Sequence, residues 1–327
     1  MELRTTFEIE PAGFRLDYST PVMFIGSCFA SEIGNRMKEG KMDVLINPSG
    51  TVYNPVSIAK TLDFVMENRV FSKENLSFSN GKYFSFLHYT DFNSEDPLTV
   101  LERINRSVAE AHTFLKNASC LFITFGTSRI YRFTESREIV SNCHKLPEKL
   151  FTKEILTPEA ITVLWQGLLD RLAAFNPGLK VIFTISPVRH WKDGAHGNQV
   201  SKSILFLATE SLRSHSSKPG YFPAFELLMD DLRDYRYYAD DMLHPSSIAI
   251  DYIWKAFSDY CMEPSSIQLW KEIRNIRKAL NHRVDGRSHS DTRDFANSMI
   301  KKIDTFIKRN PGIDLSEERA FFNRFAK

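Results

Sequence analysis

The sequence predicts a fold of the α/β class: a three-layer α/β/α arrangement in which helices cover both faces of a mostly parallel sheet, with a helical appendage at the C-terminal end. Short apolar runs rich in β-branched and aromatic residues alternate with helical patterns up to about residue 262. These runs are apolar on both faces, as the buried strands of parallel sheets are. At 327 residues and 43% hydrophobic, the chain is long enough to bury a large core.

The first half of the sheet is predicted from three apolar runs. "PVMFIG" is the first strand, and the helix that follows it is stopped by Gly40. "MDVLIN" is the second strand, followed by a helix that begins at about Pro55. A long helix with apolar residues three or four positions apart, from Leu101 to Leu115, then leads into the third strand, "CLFITFG".

The second half of the sheet begins after a region expected to be loop. Thr157 and Pro158 predict the N-cap and first turn of a helix, which "NPG" ends before the strand "KVIFTIS". A helix near 201–214, a fifth apolar run "AFELL" and a helix after "LHPSS" complete the series. Sites in such folds form at the carboxyl ends of the strands, so the loops after the apolar runs are where function is expected.

Two segments lie outside this alternation. Residues 70–97 are aromatic and rich in turn residues, with a hairpin expected at "SNGK", and are predicted to fold over the edge of the sheet. From about 265 onward two amphipathic helices are expected on either side of the polar segment "DGRSHSDTR". We therefore expect one domain over 1–264 and a helical extension over 265–327, whose helices offer a surface for a partner or a second copy of the chain.

Composition excludes several classes of function. The 42 basic and 40 acidic residues are spread along the chain, which argues against a nucleic-acid partner. The start of the sequence lacks the apolar core of a signal peptide, and no run has the length of a membrane span, so a cytoplasmic protein without membrane insertion is expected. The four cysteines form no C-x-x-C pair, and no metal motif is found; reduced thiols, no metal and no cofactor are expected.

The corner after the first strand carries two nucleophile candidates, Ser27 and Cys28. A hydroxyl or thiol there would lie at a helix N-terminus, where backbone N–H groups favour an anionic nucleophile or an oxyanion, and Gly26 would permit the tight turn. A thiol in such a place becomes nucleophilic when a base is near. The alternative is a corner of small residues in which Cys28 is an inert, buried side chain.

The loop before the last helix of the predicted sheet domain supplies a candidate base. Asp241 and His244 have the spacing D-x-x-H, which lets the carboxylate accept the Nδ1 proton of the imidazole and leaves Nε2 free. Pro245 then starts the helix. The alternative is an acidic N-cap region beside an incidental surface histidine. A parallel sheet would bring this loop and the first corner to the same edge.

Further polar residues occupy the strand-end loops. An arginine there can hold a substrate carboxylate or phosphate through two parallel hydrogen bonds. The same residues can instead tie one loop to the next, a role that we favour for the two residues of "SNCHK". Two of the histidines also compete with His244 as the base. The candidates for substrate binding are Arg129, Arg189, His190, Asn142 and His144.

Four segments of the sequence resemble the signature segments of GSCFA-domain proteins: "FIGSCFASEIG", "INPSGTVYNP", "NCHKLP" and "SPVRHWKDG". The resemblance extends through about residue 260. GSCFA domains are in turn distantly similar to the SGNH, or GDSL-type, hydrolases. This resemblance implies a flavodoxin-like fold, and an activity among esterases, lipases and acyltransferases.

The resemblance also assigns roles to individual residues. The nucleophile position of the SGNH pattern falls on Cys28 rather than Ser27, and its glycine oxyanion donor falls on Gly50. The pattern's Gly-x-Asn block falls on "GTS", so Ser128 takes the place of the asparagine that would donate a second oxyanion hydrogen bond. Losing one such donor costs about 3–4 kcal/mol of transition-state stabilisation in other enzymes. The last block, Asp-x-x-His, matches Asp241 and His244.

Together these features predict an acyl-transfer enzyme, an esterase or O-acyltransferase that acts on a small-molecule or glycan ester. Cys28, or Ser27 if the corner is shifted by one residue, would attack the acyl carbonyl, and His244 would move the proton. The alternative is a protein that has kept the fold but lost catalysis, and that binds a glycan or an acidic small molecule through Arg129 and Arg189. A third interpretation is an interaction module whose C-terminal helices recruit a partner.

Overall fold

The structure, a computed structural model, describes residues 5–280 and 289–326. Its strands are β1 (Val22–Gly26), β2 (Val44–Ile46), β3 (Ser77–Ser79), β4 (Lys82–Phe84), β5 (Cys120–Phe125), β6 (Arg129–Phe133), β7 (Ile139–Val140), β8 (Phe151–Ile155), β9 (Lys180–Ile185) and β10 (Gly220–Tyr221). Its α-helices are α1 (Cys28–Glu39), α2 (Pro55–Met66), α3 (Pro97–Asn117), α4 (Pro158–Phe175), α5 (Gly194–Arg213), α6 (Ala224–Glu226), α7 (Ser247–Cys261), α8 (Pro264–Leu280), α9 (His289–Arg309) and α10 (Ser316–Asn323).

Five strands form the central sheet, in the order β10-β9-β5-β1-β2, and every pairing within it is parallel. Counted along the chain, the order from the β2 edge is second, first, third, fourth, fifth, which is the flavodoxin-like order. The strand order reverses between β1 and β5. The predicted fold class is confirmed, and the crevice outside the carboxyl ends of β1 and β5 is where this architecture places a site.

Side chains that alternate along each strand build two separate cores. Met23 and Ile25 of β1 pack into a core with α2, α3, α4 and α5, whereas Val22 and Phe24 pack on the opposite face with α1 and α7. Strands β5 and β9 divide their side chains in the same way. The predicted covering of both faces is therefore confirmed. In the part of the chain described, no helix combines the length and apolar character that crossing a membrane requires.

The corner between β1 and α1 depends on a glycine. Gly26 has a φ of +135° and packs so closely on β5 that a Cβ at this position would lie 2.2 Å from the Thr124 carbonyl oxygen. Its N–H donates to Asn47 Oδ1 at 2.8 Å, and the Asn47 amide donates in turn to Ser31 Oγ. The end of β1, the loop after β2 and the first turns of α1 are thus joined at one point.

The apolar run "AFELL" was predicted as the fifth strand, and this prediction is wrong. The fifth strand is the two-residue β10 just before it, and the run itself forms α6 and a π-helical turn, Leu227–Leu232. Pro223, which has no N–H to donate, ends the strand. The buried residues Ala224, Leu227 and Leu228 have helical spacing, but so short an apolar run is ambiguous from sequence.

The region expected to be loop between the third strand and Thr157 contains a separate antiparallel sheet in the order β7-β6-β8. The predicted hairpin at "SNGK" is confirmed: β3 and β4 are joined by Asn80 and Gly81, both with positive φ. The segment 70–97 also contacts the sheet edge as expected, since the Tyr89 N–H donates to the Ser49 carbonyl in the loop after β2.

The C-terminal helices bury the apolar faces that the sequence offered as a partner surface. Ile273 of α8 and Ile303 and Phe306 of α9 are at most 1% exposed, in a core that α10 completes. Trp270 of α8 packs instead against α7 and donates from its indole to the Arg36 carbonyl at 2.6 Å. Of the polar segment "DGRSHSDTR", residues 285–288 lie outside the described residues and 289–293 open α9. The domain boundary at 264/265 stays a prediction; it falls at the start of α8.

Replacing Gly26 by Ala should destabilise the fold, because an alanine would have a φ of +135° and a Cβ inside the contact distance of β5. We expect the free energy of unfolding in urea to fall by about 2–5 kcal/mol. The matched control is Gly13→Ala, where nothing lies within 4 Å of the added Cβ. That change should alter stability by no more than about 1 kcal/mol. Equal effects of the two substitutions would contradict the strained corner.

Candidate active site

Five loops at the carboxyl edge of the sheet contain the polar residues from which a site can be built. Cys28 follows β1, Tyr53 follows β2 and Gly126 follows β5. His190 lies after β9, and its ring packs edge-on against that of Tyr53 with 5.5 Å between the centroids. The fifth loop contains His244, and it lies between β10 and α7. The loops therefore meet at one edge of the sheet, beside the reversal of strand order.

Cys28 is half-buried as the first residue of α1, and Ser27 is its N-cap. Burial raises the pKa of the Cys28 thiol and the Glu32 carboxylate raises this pKa further, whereas the Phe29 N–H and the cation of Lys202 lower it. Ser27 is 1% exposed, and its hydroxyl has no hydrogen-bond partner among the described residues. The thiol thus has the more open position of the two nucleophile candidates.

Asp241 and His244 form the pair that their spacing predicts. Asp241 Oδ2 lies 2.5 Å from His244 Nδ1, and Asp241 Oδ1 accepts the backbone N–H groups of Leu243 and His244, each at 2.9 Å. These hydrogen bonds, with the imidazole, lower the pKa of Asp241 to about 2. The carboxylate is therefore ionised at neutral pH, holds the proton on Nδ1 and leaves Nε2 as the acceptor. Half of the His244 side chain is exposed.

The pair and the nucleophile corner share the sheet edge but are not joined. Within residues 5–280 and 289–326, no hydrogen bond connects His244 to Cys28 or to Ser27. His190, in the loop after β9, packs on Tyr53 of the loop after β2. Burial lowers the pKa of His190 to about 4, so its ring is neutral at pH 7.

The two residues assigned to the oxyanion hole already have partners. The Gly50 N–H donates to the Asn47 carbonyl at 2.8 Å, and Tyr89 packs where a Cβ would stand. Ser128 is fully buried, with both its N–H and its hydroxyl bonded to Ser201 Oγ of α5, at 2.8 and 3.1 Å. Both donors are used within the fold, so the predicted roles of Gly50 and Ser128 would require these bonds to break.

The two arginines differ in what they contact. Arg129 lies 3.1 Å from the Asp193 carboxylate, which also contacts Lys153, so its guanidinium ties β6 to the loop after β9. Arg189 has its guanidinium 5.1 Å from the centre of the Trp191 ring. Among the described residues it has no carboxylate partner. Of the two cations predicted to bind a substrate anion, Arg189 is the one left available.

His144 and Asn142 make hydrogen bonds within and between their loops. Asn142 Oδ1 accepts the His144 N–H at 2.7 Å. His144 Nε2 lies 3.0 Å from the Ser85 carbonyl oxygen, and its ring stands 4.2 Å from that of Phe84. Burial lowers the pKa of His144 to about 4. These contacts make His144 a structural link between two segments, and they do not favour it as the catalytic base.

One buried group of the site escaped prediction. Lys202 of α5 is 1% exposed, and its Nζ donates to the carbonyls of Gly126 and Ser186, both at 2.7 Å. Burial lowers the pKa of Lys202 to about 7, and the effect of Cys28 on this pKa is in the opposite direction. A signal was present in the sequence: Lys202 lies three residues before Leu205 and ten before Leu212, on the stripe that α5 buries. A lone lysine on an apolar stripe indicates a buried cation with a specific partner.

Two cavities of the molecule are lined by residues outside these five loops. One of about 540 Å³ is lined by the N-terminal segment and Tyr221, and one of about 690 Å³ lies between α2 and the hairpin segment. Among the described residues, no cluster of three or more histidine, cysteine, aspartate or glutamate side chains is arranged to hold a metal ion.

The fold and the corner define a class: a three-layer α/β/α protein of flavodoxin-like strand order, whose first strand-to-helix turn presents a thiol. The chain belongs to the GSCFA family, with residues 21–257 matching that family and residues 273–327 matching the C-terminal domain of GSCFA domain proteins. The resemblance seen in the sequence is thereby confirmed. No curated protein matches the chain.

Two solved structures are similar at low identity. A protein from Streptococcus pneumonia, provisionally described as a platelet activating factor, is 13% identical, with 74% of this chain and 84% of that chain covered and a TM-score of 0.38. A carbohydrate esterase family 3 protein from Talaromyces cellulolyticus is 11% identical, with 77% and 99% covered and a TM-score of 0.34. These likenesses are too weak to carry any statement about the activity of this chain.

The buried lysine predicts a pH dependence of stability. Because the folded state lowers the pKa of Lys202 to about 7, the unfolded chain binds this proton more tightly. Stability therefore rises with pH above about 7, by at most about 1.4 kcal/mol per pH unit from this group. In Lys202→Met this rise should be lost between pH 7 and 8.5, as measured by urea unfolding. Lys116→Met, at an exposed lysine of α3, should keep the wild-type slope; identical slopes in all three proteins would contradict the burial of a titrating amine.

Proposed function

We propose that this protein is an acyl-transfer enzyme, an esterase or O-acyltransferase, with Cys28 as its nucleophile. The thiol attacks the acyl carbonyl and forms a thioester, and the alcohol leaves. His244 Nε2 takes the thiol proton and returns it to the leaving alcohol, while Asp241 holds the imidazole in the tautomer that this requires. Water or an acceptor hydroxyl then cleaves the thioester, which gives hydrolysis or transfer.

The observation that carries this proposal is the position of Cys28. It is the first residue of a helix at the carboxyl end of β1, where the strand order reverses, and its sulfur is near the N–H groups of Cys28 and Phe29. Such N–H groups stabilise negative charge, on the thiolate before attack and on the oxyanion afterwards. This leaves the helix N-terminus, rather than Gly50 or Ser128, as the source of oxyanion donors.

His244 must come within hydrogen-bond reach of the thiol or the leaving group for this chemistry to occur. Catalytic hydrogen bonds are often long before substrate binds and shorten in the complex. The loop that carries the pair follows β10 and precedes α7, which supports a place for the pair beside the corner. His190 itself is the weaker candidate for a base, because burial holds its pKa at about 4.

The substrate is proposed to be a small-molecule or glycan ester that also bears an anionic group. Arg189 supports this choice, because its guanidinium has a flat ring beside it and no carboxylate partner in the described part of the chain. A guanidinium of this kind binds a carboxylate or phosphate through two parallel hydrogen bonds. The half-exposed Trp191 next to it offers a ring face to a sugar or an acyl chain.

The second candidate function is binding without turnover. The contacts of Gly50 and Ser128 favour it, because each uses within the fold the donor that catalysis was expected to need. In that case an acidic or glycan ligand would bind at Arg189 and Cys28 would be inert. Arg129 no longer supports this alternative, since its guanidinium is committed to Asp193.

Turnover of short-chain nitrophenyl esters and thioesters separates the two functions. Cys28→Ala should abolish activity, and His244→Ala should lower kcat/KM by about 10²–10⁴, because the thiol and the leaving group lose their proton carrier. Ser27→Ala should keep most of the activity, since its hydroxyl is buried. The matched control is Cys143→Ala, which removes the other half-buried thiol. Activity indifferent to Cys28→Ala and His244→Ala would sink the mechanism, and binding of an acidic ligand without turnover would favour the second function.

A further inference from the structure

Lys202 extends from α5 toward the corner between β1 and α1, and α5 lies on the face of the sheet opposite α1. Its Nζ lies 2.7 Å from the carbonyl oxygen of Gly126. A Cβ built on Gly126 would be 3.4 Å from the Ser27 Cβ, so the residue that accepts the hydrogen bond is packed against the residue before Cys28. The second acceptor, the Ser186 carbonyl at 2.7 Å, is the first residue after β9. The amine is therefore fixed between the ends of two strands, one residue away from the corner.

The charge of this amine is left without a carboxylate. Both acceptors are neutral carbonyls, and in the described part of the chain no acidic side chain forms an ion pair with Lys202. A neutral amine has two N–H groups, which these two carbonyls satisfy; an ammonium has a third. A buried cation is costly unless an opposite charge is near. Burial lowers the pKa of the amine, and a negative charge on Cys28, the residue after Ser27 in the corner, would oppose that lowering.

We propose that the Lys202 ammonium is the counter-charge of the Cys28 thiolate, held beneath the corner by its hydrogen bonds to Gly126 and Ser186. The proposal rests on the proposed function, in which Cys28 is the nucleophile. Lys202 is a positioning residue: it touches no substrate and forms no covalent bond. The proton leaves sulfur for the base, and the negative charge that remains on sulfur is balanced by the positive charge of the buried amine.

The other charged and titratable groups around the two partners do not replace this pair. On the side of Cys28, Glu32 of the same helix raises the pKa of the thiol and thus opposes ionisation. Tyr53, beside Gly126 in the loop after β2, has a pKa raised by burial, so its phenol is neutral. On the side of Lys202, Arg189 is a second cation and lowers the pKa of the amine. His190 is neutral at pH 7 because burial lowers its pKa.

The substitution that tests this pairing is Lys202→Gln, in the full-length protein. Glutamine keeps two N–H donors for the two carbonyls but carries no charge. The measurement is the rate of alkylation of Cys28 by iodoacetamide from pH 5.5 to 9.5, with peptide mass spectrometry to count modification at Cys28 and Cys143 in the same sample. Cys143, the other half-buried thiol, is the internal reference.

In Lys202→Gln we expect alkylation of Cys28 at pH 7 to be about five- to tenfold slower, with its pH profile moved to higher pH and Cys143 unchanged. A Cys28 profile identical to wild type in a folded Lys202→Gln protein would overturn the proposal. Because alkylation needs no substrate, this result is independent of ester turnover. A shifted alkylation profile without ester turnover would support the pairing of Lys202 with Cys28 and count against the proposed enzyme activity. Ester turnover with an unshifted profile would support the enzyme activity and count against the pairing.

If Lys202→Gln does not fold, Cys28→Asp gives the reciprocal measurement. A carboxylate, which ionises well below the pH at which the amine titrates, takes the place of the thiolate, so a paired Lys202 should titrate at higher pH than in wild type. The Nζ resonance in protein labelled with ¹⁵N-lysine reports this titration. An unchanged Lys202 titration in a folded Cys28→Asp protein would likewise overturn the proposal.

Discussion

The site depends on one buried amine. Lys202 crosses from α5 to the sheet edge and binds the chain ends of β5 and β9 through Gly126 and Ser186. Gly126 in turn donates to the Tyr53 carbonyl in the loop after β2 and packs against Ser27 in the corner after β1. Four strand ends are therefore held in one arrangement around a single polar side chain. A hydrophobic residue in its place would leave two buried carbonyls without donors, at a cost of about 1–3 kcal/mol each.

The same burial that fixes the corner also works against its chemistry. Removing Cys28 from water raises the pKa of its thiol, and the first turn of α1 and the Lys202 cation lower that pKa only in part. The thiol is thus kept protonated until a base takes its proton, and the opposing charges stabilise the thiolate once it forms. A separate base such as His244 is consistent with that balance, since it can act when substrate closes the gap to the thiol.

The repeating hydrophobic patterns of buried strands and amphipathic helices predicted most of the fold. The run "AFELL" failed because five apolar residues fit a strand and a helical turn equally well. The Asp241–His244 pair was predictable because its partners are three residues apart on one loop. The contacts that occupy the other candidate site residues could not be predicted. The Gly50–Asn47 hydrogen bond depends on turn geometry. The remaining contacts join residues 60 or more positions apart: Ser128 with Ser201, Arg129 with Asp193 and Lys202 with Gly126.

The assignment of Cys28 as an acyl-accepting nucleophile is tested most directly by trapping the acyl-enzyme. The protein is mixed with a nitrophenyl ester, quenched in acid within seconds and digested, and the peptides that contain Cys28 and Cys143 are weighed. We expect one acyl group on Cys28, none on Cys143, and a longer-lived adduct in His244→Ala, in which the step that removes the acyl group lacks its base. An acyl group on another residue, or none on Cys28 while the ester is being consumed, would contradict the assignment.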